Sequence, residues 1–300
     1  MNEVWVRAST GEAYQLPPAR SVARLPLAMA VQILDGAIGT QLISRGLELE
    51  APDWSARAIG RAPDLLTQLH ADYVRAGATL HTANTFRTQP KAMGEGWVAA
   101  LRAAVALARD AIPPQHAVLG SMAPIEDCYR PDLSPGMATR AQHHEIAAAL
   151  ASAGCDVLLC ETFANGTEAI VAVEEAVATG LPVWLSLTAG PFGDLLSPAE
   201  LGRIGKDAAS MGVERLLVNC IAATRITSYV DAIASLGISI GVYANAGKED
   251  EGLGWGTTIP RAAEAYAELA ERWKDAGATV IGGCCGTGPL HIEALAERFG

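Results

Sequence analysis

PDLLTQLHADYVRAGATLHTANT, residues 63–85, reads as one complete helix-to-strand unit. Apolar residues recur at three- and four-residue spacing through the first part, the period of an amphipathic helix. Gly77 then closes it, as a residue that accepts the left-handed conformation. The run ATLHTANT at 78–85 starts at once and predicts a buried strand. The same unit recurs along the chain. Strand-like runs stand at VQILDG (31–36), ATLHTANT (78–85), AVLGSM (117–122), VLLCET (157–162), PVWLSLT (182–188), RLLVNC (215–220), ISIGVYAN (238–245) and TVIGGCC (279–285), eight in all. Helix-like stretches between them end on Gly77, Gly154, Gly212, Gly237 and Gly277. Alternating strands and helices predict a parallel sheet, and eight such units close most economically into a (β/α)8 TIM barrel, an α/β fold of one domain. The first strand leads into DGAIGTQL, which lacks the GxGxxG spacing of a dinucleotide fold. The barrel domain is expected over 31–300, with 1–30 as an N-terminal extension.

A chain of 300 residues with 50% hydrophobic and 18% charged residues suits a well-buried enzyme rather than a disordered chain. Its net charge of −11 leaves no basic surface for nucleic acid, so a small-molecule substrate is expected. No apolar run approaches the length of about 20 residues that spans a bilayer, so no membrane partner is expected. Arg7, Arg20 and Arg24 before LPLAMAVQIL resemble a secretion signal only faintly, because Glu3 and Glu12 interrupt the basic region. Six cysteines, unevenly placed and mostly beside apolar runs, do not form a disulfide scaffold and point to a reducing, cytoplasmic setting. Oligomeric state is not legible.

Barrel enzymes carry their chemistry at the C-terminal ends of strands. The polar residues there are Asp35, Asn84 with Thr85, Glu161 with Thr162, Asn219 with Cys220, Tyr243 with Asn245, and Cys284 with Cys285. Three cysteines on two strand ends would fill three positions of a tetrahedral Zn2+ and leave a fourth for an exchangeable ligand. Such a thiolate-rich zinc activates water poorly but holds a further sulfur as thiolate near neutral pH. The chemistry this points to is alkyl transfer to a thiol, which needs no histidine base. A zinc hydrolase would require His or carboxylate ligands at these strand ends, and a closed fourth position would instead make the metal a structural staple. Cys155 and Cys160 read as small buried hydrophobes, and Cys128 lies in a loop. A vicinal Cys284–Cys285 disulfide is strained and disfavoured in a reducing cell. His143 and His144 are expected in solvent on a polar helical stretch, His81 as a satisfied barrel histidine, and His291 in solvent or capping a helix.

LDGAIGTQL, HTANTF, GSMAP, CDVLLCETF, VNC and GGCCGT, taken in this order, resemble the homocysteine S-methyltransferases, zinc-dependent (β/α)8 barrels, from about residue 31 to the C-terminus. The resemblance implies that Cys220, Cys284 and Cys285 hold the zinc, and that Asp35 and Glu161 receive the ammonium group of homocysteine. Thr85, Asn219, Tyr243 and Asn245 complete the implied substrate contacts. PDWSAR at 52–57 is similar to the sulfonium-using branch, and Thr162 stands where the betaine-using branch has an aromatic residue. S-methylmethionine is therefore the implied donor, with S-adenosylmethionine second; folate is disfavoured because no second domain follows the barrel. YANAG at 243–247 and APIEDCYRPDLSPG at 123–136 depart from the branch's pattern on the donor side. Another thiol acceptor, another donor such as betaine, and a non-catalytic zinc protein stay open.

Overall fold

In the computed structural model, the described residues are 5–7, 13–15, 31–247, 251–255 and 259–300, with side chains from residue 31 onward. The expected extension, 1–30, therefore lies almost wholly outside them; Trp5–Arg7 and Ala13–Gln15 pair as an antiparallel ladder. The barrel strands are β1 (Gln32–Ile33), β2 (Leu80–Ala83), β3 (Ala117–Met122), β4 (Val157–Phe163), β5 (Val183–Leu187), β6 (Arg215–Ala222), β7 (Ser239–Asn245) and β8 (Ala278–Gly283). They hydrogen-bond as one parallel sheet in the order β1-β8-β7-β6-β5-β4-β3-β2. A parallel bridge between Leu34 and Leu80 joins the two ends, with Asp35 N–H donating to Leu80 O at 3.0 Å and Thr79 N–H to Ile33 O at 2.9 Å. The expected (β/α)8 barrel is what forms.

The outer helices are α1 (Pro63–Arg75), α2 (Trp97–Ala111), α3 (Arg140–Ala153), α4 (Gly166–Val177), α5 (Pro198–Ala209), α6 (Thr227–Ala234), α7 (Pro260–Asp275) and α8 (Pro289–Phe299). Their inward stripes follow the sequence period; in α1 the buried residues are Leu66, Leu69, His70 and Tyr73. Gly77, Gly154, Gly212, Gly237 and Gly277 all have positive φ, so each helix closes in the left-handed conformation that a Cβ would oppose. Strand residues alternate between the helix layer and the barrel interior. Leu34, Leu80, Leu119, Leu159, Trp184, Leu217 and Val280 fill the interior as one cluster. The barrel is thus a packed core that can open only at its rim.

Two irregularities shape that rim. Between Cys160 and Phe163 β4 advances three residues while β5 advances two, and β6 does the same against β7 between Asn219 and Ala222. The residues at the bulges, Thr162 (φ 65°) and Cys220 (φ 53°), are non-glycine residues with positive φ. A bulge re-aims side chains that strict alternation would send to the other face. This is how β6 brings both Asn219 and its neighbour Cys220 toward the barrel's interior and mouth.

The histidine expectations are partly corrected. His143 is fully buried, because it shares the face of α3 that carries Ile146, Ala147 and Leu150. Its Nε2 lies 3.1 Å from Glu168 Oε1. His144 is exposed as expected, 3.0 Å from Glu175. His291 is buried rather than solvated, and does cap α8: its Nδ1 accepts from Gly288 N–H at 3.1 Å, while Nε2 lies 2.7 Å from Leu253 O. His81 is buried with Nε2 3.1 Å from His116 Nδ1, but its Nδ1 has no partner. Cys155 and Cys160 are buried among apolar side chains as expected.

Candidate metal centre and the pocket around it

Cys220 arrives from the bulge of β6, and Cys284 and Cys285 follow directly on β8. The GGCCGT turn is fixed by its backbone. Cys284 N–H donates to Ala244 O at 2.8 Å and Ala246 N–H to Cys285 O at 2.9 Å, tying the pair to the end of β7. The Thr287 hydroxyl donates to Cys284 O at 2.7 Å and accepts Ala37 N–H at 3.2 Å, linking the pair to the loop after β1. Glycine at 283 is required, since a Cβ there would lie 2.3 Å from Thr287 Oγ1. Cys220 Sγ and Cys284 Sγ are 2.7 Å apart, and all three sulfurs lie within 4.8 Å of one another as free thiols.

Three thiols this close share protons. Hydrogen bonds from Cys220 and Cys284 hold Cys285 well below the usual thiol range, and hydrogen bonding with its two neighbours pushes Cys220 well above it. The Tyr129 hydroxyl lowers Cys285 a little further. A soft divalent cation suits such a set, because three converging sulfurs with no cationic side chain among them match the preference of Zn2+ for thiolate ligands.

The sulfurs open on a cavity of about 470 Å³ at the C-terminal mouth of the barrel. Asp35, Glu161 and Tyr243 line it together with the three cysteines. Asp35 Oδ2 accepts Thr82 N–H at 2.9 Å. Glu161 accepts from the Ser121 hydroxyl and, at 2.9 Å, from Tyr243 OH. Burial pushes both carboxyls above their ordinary range, more than these hydrogen bonds pull them back. An uncompensated carboxylate in such a place is costly, so each is poised to accept a cation.

The other expected contacts do not reach the cavity. Thr85 Oγ1 donates to Ser121 O at 2.9 Å, behind the wall. Asn219 bridges Ser186 and Thr162, at 2.8 Å to each, and so braces the wall rather than lining it. Asn245 is buried with Oδ1 unpartnered and is also absent from the lining. Three aromatic residues that the strand-end rule passes over, Trp54, Phe86 and Tyr129, do line the mouth. Phe86 and Tyr129 sit in turns and Trp54 opens a single 3-10 turn, segments too short for periodicity to carry a signal. Gly39 is what admits Trp54, whose ring would lie 2.3 Å from a Cβ at that position.

The loop between β3 and α3 carries Cys128 and Tyr129 into the cavity, and Glu168 in α4 clamps it. The fully buried Glu168 carboxylate accepts Ile125 N–H at 2.8 Å near one end of the loop and the Ser134 hydroxyl near the other, besides facing His143. Burial pushes this carboxyl up, but the His143, Ile125 and Ser134 hydrogen bonds outweigh it and hold it below the usual range. Glu168→Gln is expected to cost about 1–3 kcal/mol of stability, the range for disturbing a buried hydrogen-bonded group. Urea unfolding would check this.

The sequence profile of the homocysteine S-methyltransferase family matches residues 32–299. The homocysteine S-methyltransferase of Escherichia coli (strain K12) is 33% identical over 298 residues, covering 89% of this chain and 95% of its own. A selenocysteine Se-methyltransferase of Brassica oleracea var. italica is 26% identical over 307 residues, covering 89% and 88%. The crystal structure of the Escherichia coli homocysteine methyltransferase MmuM in its metallated form matches with a TM-score of 0.75 at 28% identity, over 94% of this chain and 100% of that one. With three sulfurs and two buried carboxyls at one barrel mouth, and a profile match over nearly the whole described barrel, the chain belongs to the homocysteine S-methyltransferase family.

Proposed function

We propose that this protein transfers a methyl group from a sulfonium donor to the sulfur of homocysteine, giving methionine, with Zn2+ held by Cys220, Cys284 and Cys285. The observation that carries the reading is the meeting, in one cavity, of three free thiols with Asp35 and Glu161. When bound, the zinc supplies a centre that keeps a further sulfur deprotonated near neutral pH, where a free thiol of pKa about 8.5 is mostly protonated. Asp35 and Glu161 receive the ammonium group of the amino acid, and Tyr243 and Ser121 orient Glu161 for it. Charge-assisted hydrogen bonds in a partly dry mouth fix the acceptor's position. Methyl transfer then asks chiefly that two small molecules lie end to end, and holding them so can supply several kcal/mol of the barrier reduction.

The donor side is the loop carrying Tyr129 with Trp54 and Phe86. Aromatic side chains at such a mouth suit a cationic methyl donor, a sulfonium or a quaternary ammonium alike, although the Phe86 ring already carries the Arg87 guanidinium 5.1 Å from its centroid. S-methylmethionine remains the favoured donor because PDWSAR lies at this mouth, and S-adenosylmethionine is the second. The same reading places the protein in the cytoplasm, where thiols stay reduced, with the catalytic domain at 31–300 after an extension of 1–30. No helix among the described residues is long and apolar enough to cross a membrane.

A donor panel with homocysteine and zinc-loaded protein tests the reading, with mass spectrometry of both products. Methionine is expected from S-methylmethionine and not from betaine. Turnover with betaine alone would reassign the donor, and no methionine from any methyl sulfonium would overturn the assignment. Selenocysteine belongs in the acceptor arm, since the two carboxyls recognise an amino acid head rather than its chalcogen.

A further inference from the structure

A second set of ligand-type side chains converges away from the cysteines. Asp35 after β1, His81 in β2 and His70 in α1 bring a carboxylate oxygen and two ring nitrogens within 4.8 Å of one another, all buried. Neither ring nitrogen of His70 has a hydrogen-bond partner, and neither does Nδ1 of His81. Buried polar atoms without partners are uncommon and call for a group that satisfies them. Asp35 is only partly engaged, its Oδ2 accepting Thr82 N–H at 2.9 Å. His116 lies outside this set, stacked on His81 with ring centroids 5.3 Å apart and its Nδ1 3.1 Å from His81 Nε2. A neutral imidazole has one N–H and one lone pair. In the tautomer that donates Nε2–H to His116, His81 presents the Nδ1 lone pair to the cluster. Holding the far nitrogen in this way is how proteins fix the tautomer of a metal-binding histidine.

We propose that Asp35, His70 and His81 form a second divalent-cation site, distinct from the three cysteines, in the wall between β1, β2 and α1. Two imidazoles and one carboxylate suit first-row cations such as Zn2+, Co2+ or Mn2+. Donors at the corners of a triangle 4.8 Å on a side would stand about 2.8 Å from its centre, so each ligand needs to move inward by less than about 1 Å to reach ~2.0–2.2 Å. Burial supports this by keeping both rings in the neutral, ligating form, with pKa values lowered to about 4 for His70 and about 3 for His81. A consequence rests on the proposed role of Asp35 as an ammonium partner: a cation here withdraws that carboxylate, so cation and aminothiol compete.

Cobalt titration reads the site by colour, because thiolate ligands give intense sulfur-to-cobalt charge transfer and imidazole and carboxylate ligands give only weak d–d bands. The triple variant Cys220→Ser, Cys284→Ser, Cys285→Ser is expected to bind about one Co2+ per chain with d–d bands alone, and His81→Phe in that background to bind none. Wild-type protein with zinc first bound at the cysteines should take up a further Co2+ with the same spectrum, which keeps the test open should the triple variant fail to fold. Absence of that second uptake, or uptake unchanged by His81→Phe, would overturn the site. Calorimetric titration of homocysteine, with and without the second cation, reads the competition separately: weaker binding supports it. Unchanged homocysteine affinity with Co2+ bound would overturn the competition and the ammonium role of Asp35 while leaving the site in place.

Discussion

Serine in place of Cys220, Cys284 or Cys285 is expected to strip zinc from the cysteine site and to lower the rate of methyl transfer by about 10³-fold or more. A serine hydroxyl is a hard, un-ionised ligand where the cation prefers a soft thiolate. Losing the cation removes several kcal/mol of charge stabilisation at the acceptor sulfur, and about 4 kcal/mol corresponds to that factor. The backbone around Cys284 and Cys285 should survive, since they are held by main-chain bonds to Ala244 and Ala246 that a serine retains. Metal content per chain and single-turnover methionine formation would show the two losses together. Any one of these variants with a full rate would break the link between the cysteines and the reaction.

Glu161→Gln is expected to raise KM for homocysteine by about 10- to 100-fold, as loss of a hydrogen bond to a charged group costs about 1.5–3 kcal/mol. The kcat should change less, because Glu161 acts on the ammonium end and not on the sulfur. The pH dependence has a definite sign. Burial raises Glu161 and Asp35 above the ordinary carboxylate range, whereas a bound ammonium favours their ionised forms. Binding therefore releases protons below these raised values, and homocysteine affinity falls as pH drops through them. In Glu161→Gln the slope of log Kd against pH should lose one proton's worth. The protein without substrate behaves oppositely. Its folded state holds these protons more tightly than the unfolded chain does, so their contribution to stability falls as pH rises through the same interval. Denaturation at several pH values, with and without homocysteine, would resolve both trends.

The barrel was legible because its strands are buried on both faces and stand out as apolar runs, each entered from a helix that ends on a glycine. The strand-end rule found eight residues that share the cavity: Asp35, Asn84, Glu161, Thr162, Tyr243 and the three cysteines. It failed at Thr85, Asn219 and Asn245 because lying at a strand end does not decide which way a side chain faces. Alternation decides that, modified in β4 and β6 by bulges that leave no mark in composition. Trp54 and Tyr129 carry no periodic signal, and only the donor-side stretches PDWSAR and APIEDCYRPDLSPG pointed toward them. His143 could have been read as buried, since it sits on the apolar stripe of its helix with Ile146 and Leu150. A polar residue type was given more weight than its position.

The most direct test of the account is zinc X-ray absorption on protein loaded with one zinc per chain, measured before and after adding homocysteine. The three cysteines should give about three sulfur contacts, rising to about four with the aminothiol present. A shell of four ligands that stays unchanged on adding homocysteine would make the metal a structural staple and contradict the proposed reaction.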